Sequence, residues 1–92
     1  MARQKSDGSE ETAVKVFQAL ANQTRLDLFR LLLTEETNVT DLCAKVSLSQ
    51  PLVSNHLSTL RLVGLVNSRR EGQKVFYSAD ASLLKEATST LL

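Results

Sequence analysis

One cysteine, one histidine and no tryptophan occur in this chain, and each shortage removes a class of function. A single thiol cannot close an internal disulfide, and one thiol with one imidazole supplies too few soft ligands for a structural zinc site. No apolar run approaches the roughly 20 residues that a membrane span needs, and no secretory leader is recognisable. A soluble protein of a reducing cytoplasm, without a membrane partner, is therefore expected. There is no glycine-rich phosphate loop, and His56 alone leaves the many serines without the partners of a nucleophilic triad. An enzyme is not expected, nor a cofactor. Charge of one sign is scarce as well: 11 Lys and Arg face 10 Asp and Glu, a net charge of +1, which argues against binding by bulk electrostatics.

What is present points to one small globular domain. Of the 92 residues, 42% are hydrophobic and 23% charged, an ordinary globular balance. A domain of this size buries a modest share of its unfolded surface and gains from association, so a homodimer is plausible before any motif is considered. The charges are also unevenly placed. Between Gln50 and Ser78 the cations Arg61, Arg69, Arg70 and Lys74 meet only Glu71, whereas Glu10, Glu11, Asp27, Glu35, Glu36 and Asp41 lie in the first half.

Along the chain, residues 1–9 are polar, contain Gly8 and show no apolar period, so they are expected to form a disordered arm; Arg3 and Lys5 belong to it. Residues 10–92 form the folded domain. Ala13, Val14, Phe17, Leu20 and Ala21 fit a first helix, capped by Ser9 and favoured by Glu10 and Glu11 near its positive end. Asn22 caps a second helix, Gln23 to Thr34, with Leu26, Phe29, Leu32 and Leu33 inward. A short third helix, Asn38 to Val46, buries Val39, Leu42 and Val46.

After a three-residue break at Ser47-Leu48-Ser49, a fourth helix runs from Gln50 to Arg61 and stops by Gly64. Ser49 or Gln50 is its cap, and Pro51 sits where a missing N–H costs little. Two helices at this spacing make a helix-turn-helix, which holds its second helix out for the DNA major groove. Val53, Leu57 and Leu60 recur at i, i+4 and i+7 as one apolar stripe, leaving Gln50, Ser54, Asn55, Ser58 and Arg61 largely on other faces.

Two strands follow, Leu65 to Arg69 and Lys74 to Ser78, joined across Arg70-Glu71-Gly72-Gln73. This is a hairpin, or wing, with Gly72 supplying positive φ and Arg69, Arg70, Gln73 and Lys74 crowding a cationic tip. A final helix carries Leu83, Leu84, Ala87, Leu91 and Leu92 and starts near Asp80 or Ser82. No later element covers it, so its apolar face is expected against the first helix, a second subunit, or both.

The expected fold is mainly α with a small β-hairpin: a winged helix-turn-helix of about five helices and a two-stranded wing. The expected function is sequence-specific binding of double-stranded DNA. Gln50, Ser54 and Asn55 are the candidates for base contacts, because Asn and Gln can pair bidentately with adenine. Arg69, Arg70 and Lys74 are candidates for backbone charge. Ser49, Pro51, His56, Ser58 and Arg61 on the helix and Gln73 on the wing complete the DNA-facing set.

The residues also resemble a known family, the ArsR/SmtB repressors of bacteria and archaea. Ala19-Leu20-Ala21-Asn22-Gln23-Thr24-Arg25-Leu26-Asp27-Leu28-Phe29 resembles its opening signature. The run from Leu48 to Leu57, with Leu60-Arg61 and Gly64-Leu65-Val66, resembles its recognition helix and exit, and Gly72-Gln73-Lys74-Val75-Phe76-Tyr77 its returning wing strand. The resemblance implies a homodimer joined by its first and last helices, with Val14, Phe17, Leu83, Leu84, Ala87 and Leu91 at the joint. It also implies repression relieved by an inducer. Metal inducers are common in the family, but here the thiolate positions are occupied by Asn38-Val39-Thr40-Asp41-Leu42, and the stretch Asp80 to Ala87 lacks histidine. Neither usual metal site is present, which leaves an unidentified small-molecule or protein inducer.

Three alternatives stay open at this level. Cys43 is either a core thiol or a redox- or metal-responsive one. His56 either touches DNA or packs at the edge of the turn. Winged helices also serve as protein-interaction modules that do not bind DNA.

Overall fold

A computed structural model describes residues 9–92. The expected arm lies outside them except for Ser9, which opens the first helix instead of preceding it. Helix α1 spans Ser9–Leu20, α2 Gln23–Thr34, α3 Val39–Val46, α4 Gln50–Val63 and α5 Ser82–Leu91; the strands are β1 Thr37–Asn38, β2 Val66–Glu71 and β3 Lys74–Ala79.

Asparagine starts two of these helices. The Asn22 side-chain oxygen accepts the Arg25 N–H at 3.0 Å, and that of Asn38 accepts the Asp41 N–H at 2.8 Å, each satisfying a first-turn donor that has no helical partner. Ser49 stands at the N-cap of α4 without making a side-chain capping bond, contrary to the role expected for its hydroxyl. Ser47, in the left-handed region at φ 57°, ends α3 and begins the break between the two helices. At the far end of α4, the Leu65 N–H bonds the Leu60 carbonyl and the Gly64 N–H that of Arg61. This is a Schellman closure around Gly64 at φ 102°. It turns Leu65, fully buried, directly into the core.

The core draws on every helix: Val16, Leu28, Phe29, Leu42, Val53, Leu57, Leu60, Leu65, Val66 and Ala87 are all closed to solvent. The helical phase differs from expectation in two places. In α1 the inward residues are Ala13, Val16 and Ala19, while Val14 is exposed. In α2 they are Leu28, Phe29 and Leu32, while Leu33 is exposed. Helix α5 packs along α1 within the chain, burying Ala87 there. Ala81, not Asp80 or Ser82, stands at the N-cap of α5 and makes no side-chain capping bond; Asp80, one residue earlier, accepts the Ser82 N–H at 2.9 Å and the Ser82 hydroxyl at 2.6 Å.

The hairpin is longer and the sheet larger than two short strands. β2 and β3 pair antiparallel from Val66↔Ala79 to Glu71↔Lys74, leaving only Gly72 and Gln73 in the loop. Gly72 takes φ 63° and Gln73 does not share the positive φ, the pattern of a two-residue II′ turn with glycine first. β1 adds itself to the other edge of β3 through Thr37↔Tyr77 and Asn38↔Phe76, giving the order β1-β3-β2. The wing is thereby continuous with the residues that lead into α3.

Candidate nucleic-acid interface

The recognition helix is rooted on one side and bare on the other. Val53, Leu57 and Leu60 have no exposed surface, whereas Gln50, Pro51, Asn55, Ser58 and Arg61 are exposed and Ser54 and His56 half-buried. No side-chain hydrogen bond within the described residues occupies Gln50, Ser54, Asn55, Ser58 or Arg61. A base edge or phosphate therefore meets donors and acceptors that need not first leave a protein partner, and such pre-exposed groups give up only water on binding.

His56 differs from its neighbours. Arg25 donates its Nε–H to the Ala19 carbonyl at 2.7 Å and its Nη1 lies 3.3 Å from His56 Nδ1. A guanidinium has only donors, so in this contact Nδ1 accepts. The same arginine thus covers a carbonyl at the end of α1, where helical carbonyls lack partners, and steadies the middle of α4. His56 thus packs against α2 through Arg25, with part of its surface left open. Nothing in the spacing of the sequence signals this pairing, which crosses 31 positions.

The four candidate residues of the wing separate into two groups. Arg70, Gln73 and Lys74 are exposed and take no side-chain bond among the described residues. Gln73 and Lys74 line one small cleft with Gln50, Asn38, Val39 and Thr40, so the wing tip and the starts of α3 and α4 converge. Arg69 lies in the body of β2, opposite Phe76. Its Nε and Nη2 donate to the two carboxylate oxygens of Glu36 at 2.9 and 2.7 Å, its Nη1 donates to Glu71 at 3.0 Å, and its guanidinium carbon stands 4.7 Å from the Phe76 ring centroid. The hydrogen bond from Arg69 holds the Glu36 carboxyl below the usual glutamate range, and the two carboxylates raise Arg69 above an already basic value. Glu36 and Arg25 are the residues at this surface that sequence reasoning missed.

Of the positions expected at a subunit joint, Val14 and Leu91 are exposed, Phe17, Leu83 and Leu84 half-buried. Ala87 is 1% exposed, so its surface is already covered inside the protomer and it is not available to a second copy. Leu62, 89% exposed at the end of α4, adds to the uncovered apolar surface. Cys43 is free and half-buried beside the core. Among the described residues no three His, Cys, Asp or Glu side chains come together as a metal site, and no helix is long and apolar enough to cross a membrane.

Residues 22–68 match the bacterial regulatory protein, arsR family. The transcriptional activator HlyU of Vibrio cholerae is 39% identical over 85 residues, which make up 92% of this chain and 79% of that protein. A solved structure of HlyU from Vibrio cholerae N16961 superposes with a TM-score of 0.81 at 37% identity, covering 94% of each chain. The arsenical resistance operon repressor of Escherichia coli is 44% identical over 66 residues, 70% of this chain but 56% of its own length; the match spans little more than half of that relative. Signature, fold and relatives agree, and the chain belongs to the bacterial ArsR family of DNA-binding transcriptional regulators.

Proposed function

We propose that this protein is a homodimeric, sequence-specific repressor that acts on DNA in the cytoplasm and lays α4 into the major groove. The observation that carries the reading is a division of chemistry. Polar side chains without a partner among the described residues, uncharged except for Arg61, occupy the outer face of α4, and cations likewise unpartnered occupy the wing tip, the two meeting at the Gln50, Gln73 and Lys74 cleft. Gln50, Ser54 and Asn55 contact base edges, with Ser49, Pro51, Ser58 and Arg61 along the same groove and His56 at its margin. Arg70 and Lys74 neutralise phosphates, with Gln73 hydrogen-bonding beside them. Two copies, joined through Val14, Phe17, Leu83, Leu84 and Leu91, read half-sites about one helical turn apart, and occupancy of a promoter excludes polymerase. An inducer for such a protein would be a small molecule, a protein or an agent acting on Cys43, since the two usual metal-ligand runs of the family are not in its sequence.

Selection of duplexes from a randomised pool by the purified protein tests this directly. The expected product is a two-fold symmetric site. On that site, Asn55→Ala loses discrimination at one base pair in each half, by roughly 5- to 150-fold at that pair, the equivalent of about 1–3 kcal/mol. Equal weakening on all sequences would remove Asn55 from base reading, and an asymmetric single half-site would overturn the dimer.

A further inference from the structure

The wing carries an arginine that is already engaged by protein acids. Arg69 spends three of its five N–H groups on Glu36 and Glu71 and lays its plane beside Phe76. Two carboxylates surround one guanidinium, so the local charge is negative, and the pairing with Glu36 is bidentate, the geometry in which an arginine fork is best matched. Glu36 is also specially placed. It immediately precedes β1, whose two residues pair with β3 and whose Asn38 caps α3. Arg69 therefore spans the sheet from its outer strand, across β3, to the segment that starts the helix-turn-helix.

We infer that Arg69 is a positioning residue, not a phosphate contact: with Glu36 it fixes the pitch of the wing relative to α3 and α4, so that Arg70 and Lys74 meet the backbone when α4 is seated. This rests on the DNA-binding reading above. An acid next to a phosphate-binding tip would by itself weaken binding, and its presence makes sense only if its geometric contribution outweighs its repulsion.

The sign of one substitution separates the two possibilities. Glu36→Gln removes a negative charge from the DNA side, and if Glu36 only repels, affinity rises. As half of the brace, its loss weakens binding of the duplex selected by the wild-type protein roughly two- to fivefold, the range expected for a well-oriented exposed ion pair. Arg69→Lys keeps the charge but loses the fork, so it should bind as weakly as Arg69→Ala; restoration of wild-type affinity by lysine would make Arg69 a phosphate contact. The slope of log affinity against log salt should stay unchanged in Glu36→Gln, Arg69→Lys and Arg69→Ala, since each leaves the same number of phosphates neutralised. Arg70→Ala on the same duplex should lower that slope by about 0.9. A tighter Glu36→Gln protein, or a slope lowered by about 0.9 in Arg69→Ala, overturns the inference while leaving DNA binding intact. An unchanged slope in Arg70→Ala would instead remove the wing from the DNA reading itself. Amide hydrogen exchange of the free proteins provides a readout without DNA: residues 71–74 should exchange faster in Arg69→Lys and Glu36→Gln with the helices unaffected, and unaltered exchange there rejects the brace.

Discussion

Helix α4 and the wing, the two elements proposed to meet DNA, are held by opposite means. The helix is fixed from beneath by Val53, Leu57 and Leu60, all fully buried. Among the described residues, the side chains of Gln50, Ser54, Asn55, Ser58 and Arg61 on its upper face make no hydrogen bond. The wing, apart from Val66 in the core and Tyr77 and Ala79 against it, is fixed by backbone pairing and by an exposed arginine held between two acids. Base reading demands sub-ångström placement, which close packing supplies because interiors tolerate little displacement. Contact with a phosphate tolerates more, since a point charge acts over several ångströms, and a surface brace is sufficient. The two regions should therefore fail differently when disturbed.

The largest expected failure is in the helix. Leu57→Ala removes a buried side chain from the centre of the core and should cost about 2–5 kcal/mol of stability. A urea melt reads this as a lower midpoint with an unchanged slope. A loss below about 1 kcal/mol would mean that the site collapses around the cavity and that the helix is less firmly rooted than its burial indicates. Removing Arg70 and Lys74 together should leave the melt within about 0.5 kcal/mol of the original while lowering the salt slope of DNA binding by about 0.9 for each phosphate no longer neutralised. A large loss of stability in that double variant would erase the contrast between a packed helix and a braced wing.

The smallest effect is a dependence on pH that belongs to the edges of the fold. Glu36 is held below the usual glutamate range by Arg69, and Asp80 below the aspartate range by its bonds from the Ser82 hydroxyl and N–H. A carboxylate with a depressed folded-state value contributes stability that is complete above its unfolded value, near pH 4, and is lost as pH falls through the folded one. Melts should therefore weaken between about pH 5 and pH 3. Glu36→Gln and Asp80→Asn should each flatten that profile slightly, and a profile identical to the original in both variants would show that neither bond persists in solution.

Much of this could be read from the chain because the informative signals were local. The stripe of Val53, Leu57 and Leu60, the capping Asn22, and glycines at 64 and 72 each act within a few residues, and each does in the structure what its position indicates; Asn38, expected inside α3, caps it instead. Where the inward face was misjudged, the sequence offered too many apolar residues to fix a phase: Leu26, Leu28, Leu31, Leu32 and Leu33 crowd one helix, and only packing decides that Leu28 is buried and Leu33 is not. β1 could not be read at all. Two residues have no period, and they form a strand only because β3 runs past them. Arg69 reads as a tip cation because the expected first strand ends there, two residues before β2 does at Glu71, and its partner at Glu36 lies 33 positions away. The metal residues of the family were absent from the sequence, and that remained readable without any structure.

Those two residues of β1 have a mechanical consequence. By hydrogen-bonding Thr37 and Asn38 to the returning wing strand, the chain makes hairpin, α3 and α4 a single caliper whose jaw opening is set at folding. On the DNA-binding reading proposed above, hairpin and helix-turn-helix then approach a duplex as one piece, with the Arg69–Glu36 pair trimming the angle between them. A disturbance at Thr37 or Asn38 would reach the returning wing strand and the start of α3 together.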